Sequence, residues 1–244
     1  MLRTIFWFIY FGAYLLYSIP SLWKANKLFK NGELETHKKH VKIITRNWAR
    51  SLLKVAGIKV HIHGKENIPK MESCLIVSNH QGNFDIPILL AFLDVNISFI
   101  SKIEVKKLPI IRTWMEHMEC VFMDRKDRRQ SIQAIRDGVR KLEKGNNIVI
   151  FPEGTRSKGG PVANFKTGSI KLATLSNSPI LPITIDGSYL AMEANNNFIQ
   201  PAEVHITIST PIRIHLEDEK IDGKVLTEMV QKQIESNLNL GKNV

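Results

Sequence analysis

From residue 58 onward the chain alternates short apolar runs with longer amphipathic stretches, and this rhythm limits the folds open to it. Strand-like runs occupy residues 58–63, 74–78, 97–101, 119–123, 147–151, 180–185 and 203–209. Helix-like stretches at 86–92, 109–117, 128–144, 168–175 and 224–238 lie between or after them. Strands joined through helices pair mainly in parallel and carry the helices as a cover. The expected fold is α/β, a largely parallel, helix-covered sheet. At 244 residues the chain holds one sizeable domain, or one domain with an appendage.

The N-terminus follows a different pattern. Residues 5–19 are nearly all apolar or aromatic and carry no charge. This stretch is shorter than the roughly 20 residues that cross a bilayer, and Pro20 interrupts its continuation toward Trp23. No small-x-small cleavage site follows, so an uncleaved anchor is expected, with Trp7, Phe8 and Trp23 as membrane-contacting residues. Lys24, Lys27 and Lys30 favour the cytoplasmic side for what comes next. A helix is then expected over 34–56. Its apolar positions Val41, Ile44, Trp48, Leu52 and Val55 fall within about an 80° arc at 100° per residue. Lys38, Lys42, Arg46, Arg50 and Lys54 lie on the other side. A basic face opposite a Trp-bearing stripe suits a helix lying on an anionic membrane, with Lys42, Arg46, Trp48 and Arg50 at the surface. The alternative is a stripe packed on the domain core. The two-helix, membrane-binding segment is expected to end at 56 and the main domain to cover 57–244.

The formal charge of +11 calls for an anionic partner: nucleic acid, membrane surface or phosphorylated substrate. No nucleic-acid motif accompanies it, and much of it sits in the amphipathic helix. Cys74 and Cys120 both lie inside apolar runs and read as small buried hydrophobes in a reducing compartment. No Cys/His cluster has metal-ligand spacing, so no metal is expected.

The unusual polar residues follow the strand-like runs. Asn79, His80 and Asp85 follow the second, Lys102 and Glu104 the third, Asp124 and Arg125 the fourth, and Glu153, Gly154, Thr155 and Arg156 the fifth. In open α/β sheets the ligand crevice lies outside the carboxyl ends of the strands, so these groups are expected to converge there. His80 and Asp85 are five positions apart, about 500° on a continuous helix, so they meet only if the Gly82-Asn83 pair makes a turn. A carboxylate then fixes the tautomer of an imidazole base. Asp85 before Ile86-Pro87 also reads as a helix N-cap. Around this pair stand the cations Lys102, Arg125, Arg156 and Lys166, whose geometry suits a phosphate. No Gly-rich nucleotide loop and no Gly-x-Ser-x-Gly elbow is present. A histidine base without a protein nucleophile implies direct attack by a substrate hydroxyl. The expected acceptor is therefore a phosphorylated alcohol, and the lipophilic N-terminus suggests that it resides in a membrane.

Four blocks now carry a resemblance: Asn-His-x-x-x-x-Asp at 79–85, Val-Phe-Met-Asp-Arg at 121–125, Phe-Pro-Glu-Gly-Thr-Arg-Ser at 151–157 and Leu-Pro-Ile-Thr-Ile at 181–185. In this order and spacing they resemble the glycerolipid acyltransferases, over roughly 58–211, and most of all the bacterial 1-acyl-sn-glycerol-3-phosphate acyltransferases. The chain departs in two places: Cys120 stands where glycine is frequent, and 101–105 is a loose version of a Lys-rich stretch. The resemblance implies acyl transfer from acyl-CoA or acyl-carrier protein, as co-substrate and with no cofactor, to the sn-2 hydroxyl of lysophosphatidate, giving phosphatidate. His80 would be the general base and Asp85 its orienting acid, with no acyl-enzyme. Arg125 and Arg156 would clamp the phosphate, with Lys102 and Lys166 beside them. Glu153 would hydrogen-bond glycerol, orient an arginine or form a structural ion pair. Backbone N–H groups near 79–82 or the Glu153-Gly154 turn would hold the oxyanion. The expected location is the cell membrane, with the catalytic domain on its cytoplasmic face. Two alternatives stay open: another phosphorylated acceptor such as glycerol 3-phosphate, and a non-catalytic lipid-binding protein.

Overall fold

The computed structural model describes residues 1–213 and 222–240. Three helices come first: α1 (Leu2–Tyr17), α2 (Ile19–Lys30) and α3 (Leu34–Ala56). The α1–α2 break falls at Ser18, where Pro20 in the first turn of α2 has no N–H to continue the ladder. Gly57, at φ 78°, ends α3 in the left-handed conformation.

The sheet then forms from β1 (Ile58–His63), β2 (Leu75–Ser78), β3 (Ile97–Lys102), β4 (Val121–Met123), β5 (Asn147–Ile150), β6 (Ile180–Asp186) and β7 (Ala202–Ile208). Helices α4 (Asp85–Phe92), α5 (Pro109–His117), α6 (Arg128–Glu143), α7 (Thr167–Ser176) and α8 (Gly223–Leu240) complete the described chain. All seven expected strands are present, in the order β1-β7-β6-β2-β5-β3-β4. β6, β2, β5, β3 and β4 run parallel; β7 is antiparallel to β6, and β1 pairs in parallel with β7.

Residues of β2 and β5 alternate between two cores. Ile76 and Val149 face the one built with α1, α3 and α4, whereas Leu75, Val77, Ile148 and Ile150 face the one built with α6, α7 and α8. Strands covered on both faces need apolar residues at every position, which is why these runs are continuous. β1 and β7 are covered on one face only, and their outward residues Lys59, His61, Glu203 and His205 are polar.

Helices α1 and α3 share the first of these cores, and α2 packs with α3 and α5 in a smaller cluster of Leu22, Ala25, Val41 and Trp114, so no packing boundary falls at residue 56. This corrects several membrane expectations. Trp7 is buried at 8 % exposure, its indole N–H donates to the Leu52 carbonyl at 3.0 Å, and its ring stands 5.5 Å from that of Phe84. Trp48 is partly buried and packs against Phe11 at 6.0 Å. The basic side of α3 meets the carboxyl end of α4: Lys42 and Arg46 pair with Asp94, and the Arg50 Nε donates to the Ala91 carbonyl at 3.1 Å. Helix carboxyl ends carry partial negative charge and unpaired carbonyls, so they attract such cations. Phe8 and Trp23 do remain exposed, alongside Leu2, Ile5, Phe6, Ile9, Leu16 and Phe29.

Candidate active site

β2 and β5 are neighbours in the sheet, yet β2 leads into α4 on one face and β5 into α7 on the other. Diverging connections of this kind open a crevice at the strand ends. Asn79 begins it, with its side-chain amide making two 2.8 Å bonds to the backbone of Ile185 at the end of β6. This clamp fixes the next residue, His80.

The expected turn intervenes at 82–84, and the His80 Nδ1 lies 2.6 Å from the Asp85 Oδ2. Asp85 is fully buried and faces four donors: His80 Nδ1, Gln81 N–H at 2.7 Å, Gly82 N–H at 3.0 Å and the Ser188 hydroxyl. A carboxylate accepting from His80 Nδ1–H leaves the lone pair on Nε2, the nitrogen that can take a proton. The capping expectation is corrected: α4 starts at Asp85 without a side-chain cap bond, and the carboxylate holds the preceding turn instead. The Phe151 ring stacks on the imidazole at 4.1 Å between centroids, restricting its rotation.

Glu153 is buried and accepts the His80 backbone N–H at 2.6 Å with one oxygen and the Ala163 N–H at 3.0 Å with the other. Burial pushes its carboxyl upward from the usual range, and the two backbone bonds oppose that shift. It braces the backbone; among the described residues it pairs with no arginine, which corrects that part of the expectation. The expected oxyanion donors are also taken: His80 N–H by Glu153, Gln81 and Gly82 N–H by Asp85, and Gly154 N–H by the Phe151 carbonyl.

Two cations converge on Gly154. Arg125 donates to its carbonyl, and a Cβ at this position would fall 2.8 Å from the Lys166 Nζ. With φ at 74° as well, only glycine fits without strain. Arg156 turns the other way, to the Asn83 side-chain carbonyl and, at 3.0 Å, to Glu193. Lys102 ends β3 on the same edge but is exposed, without a hydrogen-bond or ion-pair partner among the described residues; the Thr155 side chain is likewise exposed.

Ser188 and Glu193 were not anticipated. Ser188 carries the same signal as the other clusters, because Asp186 ends β6, a fifth parallel strand, and Gly187-Ser188 follows it directly. Glu193 carries no such signal.

Cys74 and Cys120 are buried, and burial pushes both thiols up to about 12. Among the described residues, no hydroxyl or thiol hydrogen-bonds to the His80 Nε2. No group of three or more His, Cys, Asp or Glu side chains there is arranged to hold a metal.

A histidine–aspartate pair in a cation-lined crevice of a doubly covered α/β sheet defines an enzyme site. The family described as Acyltransferase matches residues 59–186, and the chain belongs to that family. It is 30% identical over 197 residues to a 1-acyl-sn-glycerol-3-phosphate acyltransferase of Borreliella burgdorferi, covering 79% of this chain and 76% of that one. A probable enzyme of the same name from Mycoplasma pneumoniae is 33% identical, over 75% and 72% of the two chains. The crystal structure of the 1-acyl-sn-glycerophosphate acyltransferase PlsC from Thermotoga maritima is similar with a TM-score of 0.86 at 26% identity, covering 99% of this chain and 95% of that one.

Proposed function

We propose that this acyltransferase moves a fatty acyl group from acyl-CoA or acyl-carrier protein to the sn-2 hydroxyl of 1-acyl-glycerol-3-phosphate, making phosphatidate for phospholipid biosynthesis. The observation that carries this reading is the His80–Asp85 pair beside a turn crowded with cations. The acceptor hydroxyl attacks the thioester carbonyl as its proton passes to the His80 Nε2. The tetrahedral intermediate collapses, the C–S bond breaks, and the imidazolium returns its proton to the leaving thiolate. Asp85 holds the ring and stabilises its charge. Arg125, Lys166 and the free donors of Arg156 take the phosphate. The N–H groups of Thr155 and Arg156, unpaired among the described residues, are the donors left on the turn for an oxyanion. The buried, high-pKa thiols and the open Nε2 favour direct transfer over an acyl-enzyme.

The membrane supplies the acceptor. Residues 2–30 are long and apolar enough to cross a bilayer by composition. Trp7 packed on Phe84 instead favours a helix pair lying in one leaflet, with its exposed aromatic face in lipid and Lys24, Lys27 and Lys30 on the cytoplasmic side.

Thiol release from acyl-CoA, followed with lysophosphatidate and glycerol 3-phosphate as alternative acceptors, tests the reaction. Release dependent on lysophosphatidate is expected. Near-normal transfer by purified His80→Ala, or a labelled acyl group trapped on the protein, would overturn the mechanism.

A further inference from the structure

One buried carboxylate has no part in the mechanism above. Glu193 lies on the loop after β6, yet its side chain is only 1% exposed. Its Oε1 accepts from the Asn83 N–H at 2.8 Å and from the Arg156 Nη1 at 3.0 Å. Its Oε2 is buried with no hydrogen-bond partner among the described residues, against Gly82, where a Cβ would fall 2.6 Å away. Burying a carboxylate with one oxygen unpaired is costly, and a loop needing only an anchor has cheaper apolar solutions.

The position of this carboxylate accounts for it. It joins the two halves of the crevice: the Gly82-Asn83 turn that supports Asp85, and Arg156 beyond β5. Arg125 and Lys166, the other cations near the turn, have no acidic partner within ion-pair distance among the described residues. Arg156 alone of the three is held by a carboxylate, while its side chain stays 35% exposed with donors to spare. A guanidinium is a planar fork, so fixing one edge fixes where the other points.

We propose that Glu193 is a positioning residue for acceptor recognition, orienting Arg156 so that its remaining N–H donors meet the acceptor phosphate in register with His80. This rests on the lysophosphatidate reading above. The test is steady-state kinetics of the full chain in phospholipid–detergent micelles, with acyl-CoA as donor. Glu193→Gln keeps the shape and loses the charge. It should raise KM for lysophosphatidate about tenfold, the scale of a weakened charge-assisted bond. Its kcat should stay within about threefold and its KM for acyl-CoA should not change. Glu193→Asp should recover part of the loss. Arg156→Gln should raise the same KM, and the double variant should be no worse than Arg156→Gln alone, because Glu193 acts through that residue. An unchanged acceptor KM in Glu193→Gln, an equal rise in the donor KM, or additive losses would overturn the proposal. So would a normal acceptor KM in Arg156→Gln, even if Glu193→Gln fails to fold. Absence of lysophosphatidate acylation by the unaltered protein would instead remove the reading on which the proposal rests.

Discussion

Two histidine sites in this molecule use the same side chain in opposite ways. At the crevice, the His80 Nδ1 is held by a carboxylate, and Nε2 has no protein partner among the described residues. Between α2, α3 and α5, the His117 Nδ1 meets the His37 Nε2 at 2.9 Å and its Nε2 meets the Asn26 Oδ1 at 3.2 Å. Both nitrogens of His117 are used in packing, and burial lowers its pKa to about 4. One site leaves a nitrogen open to the crevice; the other consumes both to join helices. Neither the residue type nor partial burial separates them. What separates them is whether one nitrogen is left over.

The comparison is tested most severely at His80. His80→Ala is expected to lower kcat by about 10²–10⁴-fold while circular dichroism and the unfolding midpoint stay near those of the parent. A comparable kinetic loss from His117→Ala would erase the distinction. Asp85→Asn should follow, at about 10²–10³-fold in kcat, because an amide can present N–H to Nδ1 and favour the wrong tautomer. Trp7→Ala should destabilise the fold by about 3 kcal/mol in denaturant titrations, through the lost ring contacts and a cavity next to Phe84.

The smallest effect concerns pH. The folded pKa of His117 lies below its ordinary 6.5, so the folded state favours the neutral ring. Its stabilising contribution is present above pH 6.5 and is lost as pH falls through about 4. Protonating both His37 and His117 would leave two donors facing each other across 2.9 Å. The unfolding midpoint should therefore fall across this window, and His117→Gln should flatten that slope. A slope unaltered by His117→Gln but removed by His80→Gln would assign the titration to the wrong site.

Much of the fold could be read from the chain because β2 and β5 are covered on both faces, and buried strands must be apolar throughout. The His80–Asp85 contact was legible too, since five residues with Gly82-Asn83 between them allow a return turn. The partners of α3 were not. A helix with basic and apolar sides has one periodicity whether its cations face lipid phosphates or the carboxyl end of α4. Periodicity reports that the two faces differ, and only long-range packing decides what stands opposite. Glu193 escaped for the same reason: its partners Asn83 and Arg156 are brought to it by the crossover of β5 and β6, not by neighbours in sequence.

The fastening of α1 has a mechanical consequence. Trp7 rests on Phe84, the residue before Asp85, and the Ile199 N–H donates to the Thr4 hydroxyl at 2.8 Å. A helix tied down at both points behaves as a keel. Were its exposed aromatic face seated in lipid, as proposed above, the height and tilt of the crevice over the bilayer would be set by rigid geometry, where a flexible tether would let the domain wander. An acceptor drawn from that bilayer would then meet His80 at one fixed depth.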